Sequence, residues 1–195
     1  MIAALYVDPT GPYAGRPGVD AWALPTRDAR TYAGPYPVVA HPPCAAWGRY
    51  AKPTPESTAR GPLRGDDGGC FRAALASVLA FGGVLEHPAD SYAWRAFGLA
   101  TPAPMGWTPD PTRPNVWTCR VEQGHYGHAA RKPTWLLYSG RTPPPALVWG
   151  PAPDVQRPWS GRRGVLECMS KRQRRLTPEP FAALLVSLAR HAGNP

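Results

Sequence analysis

Proline and glycine interrupt this chain too often for long helices: 27 prolines and 20 glycines stand among 195 residues. Proline fixes φ and removes a backbone donor, and glycine loses the most entropy when ordered, so both confine regular structure to the short stretches between them. The expectation is a loop-rich protein of short elements joined by stiff, irregular connections. A hydrophobic content of 43% nevertheless matches a packed globular domain, and the length suits one domain with a real core. No apolar run approaches the roughly 20 residues of a membrane span. The first residues also lack a basic stretch followed by an apolar one. The expected location is therefore the cytoplasm, with no membrane partner.

Short apolar runs give the strands. Residues 2–7 read as a first strand ending at Asp8-Pro9-Thr10-Gly11, residues 19–24 as a weaker second, and residues 38–40 as a buried third. The segment between the first and third is so rich in glycine and proline that this half of any sheet has little room for helix. Residues 45–67 are polar and read as a long loop. Phe71, Ala74, Leu75, Val78 and Leu79 repeat at helical spacing over 69–81, with Asp66-Asp67 before them and Gly82-Gly83 after. A strand at 84–85, a helix at 90–97, a Pro/Trp-rich loop over 101–114 and strands at 116–121 and 134–138 come next. Residues 140–164 lack periodicity. Thr177-Pro178 opens a last amphipathic helix with Phe181, Leu184, Leu185 and Leu188 on one face.

Two of these strands stop at proline-bearing turns that carry reactive side chains. His41-Pro42-Pro43 ends the third strand and leaves Cys44 just past its carboxyl end, where open α/β sheets gather ligands. Glu86-His87-Pro88 ends the strand at 84–85 in the same manner. A strand–helix–strand unit in a parallel sheet delivers both turns to one edge. A thiol and a carboxyl meeting there suit chemistry at carbon 5 of a pyrimidine ring, in which a thiolate adds to C6 and an acid serves N3. Arg131, Lys132 and His41 are the candidates for favouring the thiolate. A thiol-protease arrangement would want a histidine oriented as base, and only His41, on the same turn, offers itself.

These turns resemble the motifs of DNA (cytosine-5)-methyltransferases. His41-Pro42-Pro43-Cys44 resembles the Pro-Cys nucleophile motif, and Leu85-Glu86-His87-Pro88 resembles the Glu-Asn-Val motif, with His87 in place of Asn. The segment from Tyr126 to Leu136 is similar to the Tyr-Gly-x-Pro-Gln-x-Arg-x-Arg stretch. Arg174-Arg175-Leu176-Thr177-Pro178-Glu179 resembles the Arg-x-Leu-Thr-x-x-Glu motif. The resemblance implies an α/β, Rossmann-like methyltransferase fold with a mostly parallel sheet and an antiparallel last strand. It implies Cys44 as nucleophile, Glu86 as the N3 partner, and Arg131 or Lys132 at the base or its adduct. Pro43, His41 and His87 would line the substrate. S-adenosylmethionine is the implied cofactor, with Asp8, Gly11, Asp20 and Asp28 as candidate contacts, although the family's Phe-x-Gly-x-Gly loop is replaced here by Asp8-Pro9-Thr10-Gly11-Pro12-Tyr13. Too few residues separate Lys132 from Lys171 for a target-recognition domain, a compression that resembles phage-encoded versions working in a bacterial host.

The expected organisation is thus one domain over 1–195: a reduced cofactor half (1–40), a catalytic core (41–139), an irregular loop (140–170), and a basic segment with the last helix (171–195). The net charge of +9 suits a polyanionic partner, DNA or a nucleotide. Cys44, Cys70, Cys119 and Cys168 form no CxxC pair, so neither a metal nor a disulfide framework is expected, despite His125 and His128 following Cys119. Trp47, Trp107 and Trp135 are candidates for base stacking or for core packing. Two other readings stay open: C5 chemistry with a different one-carbon donor or on a free nucleotide, and a catalytically silent nucleic-acid-binding module.

Overall fold

The computed structural model describes residues 1–59, 61–153, 170, 173 and 175–193. Strands β1 (Ile2–Leu5), β2 (Val19–Trp22) and β3 (Val38–Ala40) precede the long helix α1 (Cys70–Phe81) and strand β4 (Gly83–Pro88). Helix α2 (Tyr92–Ala96), strands β5 (Trp107–Pro109), β6 (Val116–Glu122) and β7 (Pro133–Ser139), and helix α3 (Glu179–Gly193) complete the described elements. All seven strands join one sheet in the order β2-β1-β3-β4-β7-β6-β5.

The sheet is mixed rather than mostly parallel. β1 pairs in parallel with β2 and β3, and β3 with β4, whereas β7 runs antiparallel to both β4 and β6, and β5 antiparallel to β6. The last strand is antiparallel, as expected, but it sits inside the sheet. β5 is an addition: Trp107–Pro109 lies in the expected loop and pairs with Trp117–Cys119 as a three-residue edge strand. An edge position is where the sheet tolerates a proline such as Pro109.

Two apolar layers enclose the sheet, and strand alternation sorts the residues between them. Val38, Ala40, Ala3, Leu5 and Leu85 face α1, where Phe71, Ala74 and Val78 are fully buried. Val39, Ile2, Ala4, Val84 and Tyr138 face α3, packed by Phe181, Leu185 and Leu188. Trp47 and Trp94 are buried on the α1 side, and Trp135 packs against Trp94, so Trp47 and Trp135 serve the core. Trp107 packs on the α3 side and donates its indole N–H to the Pro145 carbonyl.

Local chemistry fixes the ends of the elements. β1 stops at Leu5 because Tyr6 adopts φ +60°, which a strand cannot continue. Between β1 and β3 the described helical structure is a 3-10 turn, Ala29–Thr31, capped by the Asp28 carboxylate. The long loop after β3 folds back on itself: Lys52 bridges Leu63, and Gly65 N–H donates to the Ala46 carbonyl. Its far end is pinned by Asp67, whose carboxylate accepts from the backbone N–H groups of Gly69 (3.0 Å) and Phe71 (2.8 Å) and from the Trp47 indole (2.8 Å). Asp67 thereby supplies the acceptor that helix α1 lacks at its own first residues.

β4 differs most from its expected bounds. It continues through Glu86 and His87 to Pro88, because β7 pairs with it as far as Pro88 opposite Thr134. β3 ends at Ala40, opposite Leu85, so the last three residues of β4 have a strand on one side only. Glu86 therefore lies within a strand and not in a turn after one. Among the described residues no helix is long and apolar enough to cross a membrane.

Candidate active site

The step between the short β3 and the longer β4 forms the floor of the site. His41 follows β3 directly and its N–H donates to the Leu5 carbonyl, which keeps the chain in line for one more residue. Pro42 and Pro43 then turn it, and Cys44 begins a 3-10 turn over Ala45–Trp47, with Trp47 N–H donating to the Cys44 carbonyl. Cys44 as a whole residue is exposed at this edge, although the groups around its thiol partly shield that atom from water.

Glu86 and His87 point to opposite faces of β4. Glu86 reaches the His41 imidazole, with Oε2 2.9 Å from Nδ1, and the other ring nitrogen of His41 is 2.8 Å from the Tyr13 hydroxyl. Gln123, at the end of β6, donates from Nε2 to Glu86 Oε1 (3.2 Å) and to Thr134 Oγ1 (2.9 Å). His87 is turned into the α1 side, packed between Phe71 and Trp94, with Nδ1 2.7 Å from Ser91 Oγ. It is 1% exposed, so it lies behind the site and not on its surface. Burial drives its pKa down to about 4, the charge of Glu86 and the nearby Pro43 carbonyl opposing the shift only in part.

Lys132 enters from the turn before β7, at φ +46°, and its ammonium donates to the Leu176 carbonyl at 2.8 Å. That bond ties the segment preceding α3 to this sheet edge. Burial lowers the Lys132 pKa, and the charges of Glu86 and Cys44 counter it, which places all three groups within electrostatic reach of one another. For Glu86, burial raises the pKa, but the His41 hydrogen bond and charge together with Lys132 outweigh it, and the net shift is downward. For Cys44, burial of the thiol and the negative charge of Glu86 push the pKa up, and Lys132 and Arg175 only partly offset them. Lys132 thus favours the thiolate, as expected of it, but the net shift at Cys44 is upward. Arg131 is exposed on the same turn, and the charge of Lys132 acts on both Cys44 and Glu86.

A cavity of about 410 Å³ adjoins this centre, lined by Tyr6, Trp22, Asp28, Arg30, Pro43 and Cys70 among others. Pro43 is shared: it forms a wall of the cavity and precedes Cys44. Of the four expected cofactor contacts, Asp28 alone lines the cavity, with its carboxylate held by the Arg30 guanidinium. Asp20 stands behind the lining, where it accepts from the Trp22 indole and pairs with Arg27, whose guanidinium lies 3.8 Å over the Trp22 ring. Asp8 serves its own turn, accepting from the Thr10 N–H and hydroxyl at 2.8 Å, and Gly11 N–H donates to the Asp8 carbonyl. The Tyr6 hydroxyl, on the cavity wall, is buried with no hydrogen-bond partner among the described residues.

Two members of the site, Tyr13 and Gln123, were given no role by the sequence reading. Arg175 stood there only as part of the motif at 174–179, and its neighbours Lys171, Arg172 and Arg174 lie outside the described residues. Cys168 lies outside them too. Among the described residues no group of three or more His, Cys, Asp or Glu side chains gathers as for a metal. Cys119 is buried in β6, His125 is bonded to the Gly150 carbonyl, and His128 to that of Ala130. Comparison of the chain with protein-family models, with curated proteins and with solved structures gives no match.

Proposed function

We propose that this chain modifies carbon 5 of a pyrimidine by covalent catalysis, and that its reaction is methylation of cytosine in DNA by S-adenosylmethionine. The observation that carries the reading is the meeting of Cys44, Glu86 and Lys132 at one sheet edge, from segments far apart in sequence, beside a cavity that shares Pro43 with them. The strand order, with antiparallel β7 inserted beside the parallel set, supports the finer description of a Rossmann-like methyltransferase fold.

Each residue has a distinct task. Cys44 loses its proton to solvent at the exposed edge, and the charges of Lys132 and Arg175 lower the cost of that loss. The thiolate adds to C6. Electrons move from the C5=C6 bond toward N3, which takes a proton from Glu86, and C5 becomes nucleophilic. Once C5 is substituted, its hydrogen leaves to solvent as a proton, the C5=C6 bond re-forms as the Cys44 thiolate is expelled, and N3 returns its proton to Glu86. Gln123 keeps the carboxyl oriented. Lys132 stabilises the negative charge that develops on Cys44 and Glu86 before and after the transfer.

The cavity fits a nucleoside-type cofactor. Its volume lies in the range of ligand pockets. Trp22 and Leu24 offer apolar surface, while Asp28 and the Tyr6 hydroxyl offer hydrogen bonds. S-adenosylmethionine bound there supplies an electrophilic methyl group. One observation favours a second reading, a different one-carbon donor: the segment after β1 lacks the Phe-x-Gly-x-Gly pattern, and Tyr6 lines the cavity there with a bulky ring.

Covalent trapping tests the proposal. The protein is incubated with duplex DNA containing 5-fluorocytosine and S-adenosylmethionine, and the product is weighed intact beside Cys44→Ser. A Cys44-dependent adduct that carries the methyl group is the expected result. An adduct without the methyl group moves the second donor reading forward. DNA binding with no adduct under any condition overturns the catalytic assignment and leaves a silent binding module.

A further inference from the structure

We propose that His41 and Glu86 share one exchangeable proton, and that His41 is the positioning residue through which Glu86 obtains the proton it gives to the substrate ring. The inference rests on the pyrimidine reading above and adds a role that no motif assigned. The geometry singles out His41. Glu86 Oε2 faces His41 Nδ1 at 2.9 Å, and Oε1 is taken by Gln123 Nε2 at 3.2 Å. The amide is held in that orientation by Thr134, whose hydroxyl gives its proton to the Lys132 carbonyl (3.0 Å) and so can only accept from Gln123 (2.9 Å). An amide N–H cannot protonate a carboxylate. Of the two described side chains bonded to Glu86, His41 alone has a proton to give.

On its far side the imidazole is 2.8 Å from the Tyr13 hydroxyl. Burial and the charge of Glu86 raise the Tyr13 pKa well above its ordinary value, so the phenol keeps its proton and serves to aim the ring. The other charged or titratable groups facing this pair are Cys44, Lys132 and His87 around Glu86, and Arg16 and Glu179 around Tyr13. The proton count closes. As the Cys44 sulfur bonds to C6, the C5=C6 pair moves to C4–C5 and the C4=N3 pair to N3. N3 takes the proton from Glu86, which has drawn it from His41 Nδ1. The pair is left as a neutral imidazole and a carboxylate, and elimination of Cys44 returns the proton.

Exchange of the C5 hydrogen of cytosine with heavy water reports this addition without any methyl donor. We would follow deuterium entry across pH, using random-sequence duplex DNA and deoxycytidine monophosphate as probes. The wild type should exchange at least one probe, with a rate that falls at alkaline pH as the pair loses its proton. His41→Gln keeps an N–H toward Glu86 but carries no transferable proton. It should lose about ten- to a thousandfold near neutrality, and its alkaline fall should begin at lower pH. Tyr13→Phe, which keeps the ring volume, should move the profile the same way by less. Wild-type exchange with profiles of unchanged shape in both variants would reduce His41 to a structural residue and overturn the proposal. No exchange by the wild type on either probe would overturn the pyrimidine reading itself, and this proposal with it.

Discussion

A Cβ on Gly83 would stand 2.0 Å from the carbonyl oxygen of Val38. The two residues are register partners where β3 and β4 begin, and Gly83 has φ +126°. The obstacle is backbone on both sides, so it cannot rotate away. Gly83→Ala should therefore cost about 3 kcal/mol or more, measured by chemical denaturation. Because β3 and β4 carry the two halves of the candidate site, the surviving folded fraction should also lose reactivity. A cost below about 1 kcal/mol would mean that the strands separate more easily than their register implies.

Asp67 unites three donors from two segments, the start of α1 and the Trp47 indole. Asp67→Ala should destabilise the fold by about 2–3 kcal/mol, since it removes a helix cap and strands a buried indole N–H. Asp67→Asn keeps an acceptor and should cost less. Denaturation curves of the two variants, with Trp fluorescence as the probe, separate the cap from the loop anchor.

His87 gives a pH dependence of definite sign. Its folded pKa of about 4 lies below the ordinary value near 6.5. Between those values the unfolded chain binds the extra proton, so stability is full above about pH 6.5 and declines as the pH falls toward 4. The decline should reach about 3 kcal/mol. His87→Asn should flatten that part of the stability curve, whatever it does to stability at pH 7. An unchanged slope would assign the acid sensitivity to other groups.

The charge of Glu86 raises the Cys44 pKa, so Glu86→Gln should make the thiol more acidic. Alkylation of Cys44 by iodoacetamide near pH 8 should then be faster in Glu86→Gln than in the wild type, and slower in Lys132→Gln. On the proposed reaction the same Glu86→Gln change should cut turnover about a hundred- to ten-thousandfold. A variant that gains thiol reactivity while losing turnover would separate the nucleophile from the acid.

Much of the frame was legible in the chain. Apolar runs located β1, β3, β6 and β7, and the helical repeat of Phe71, Ala74, Leu75 and Val78 located α1 within one residue of its start. Cys44 and Glu86 were brought to one edge by the strand–helix–strand rule, although Glu86 lies inside its strand. The rule places residues beyond a strand's carboxyl end and is blind to how far a later neighbour, β7, prolongs that strand. β5 was hidden because three residues ending in Pro109 carry no periodic signal. Tyr13 and Gln123 were hidden for another reason. Tyr13 lies 28 positions from His41, and Gln123 lies 37 from Glu86, so only the completed sheet brings them together. Asp8, a candidate cofactor contact by sequence, accepts from Thr10 within its own turn, a local bond that no periodic pattern announces.

The direction of β7 has a consequence for how little chain such a site needs. Parallel strands deliver only their carboxyl-terminal turns to the functional edge, and each requires a return crossover. A reversed strand delivers the turn at its amino end. Running β7 against β4 brings the turn before Pro133, with Gln123 and Lys132 on its two flanks, to the edge where β3 and β4 finish. No helix is needed for the return, since β6 rises to that edge and β7 descends from it. A chain so crowded with proline and glycine that it can build few crossover helices thus still surrounds one carboxyl group with His41, Gln123 and Lys132.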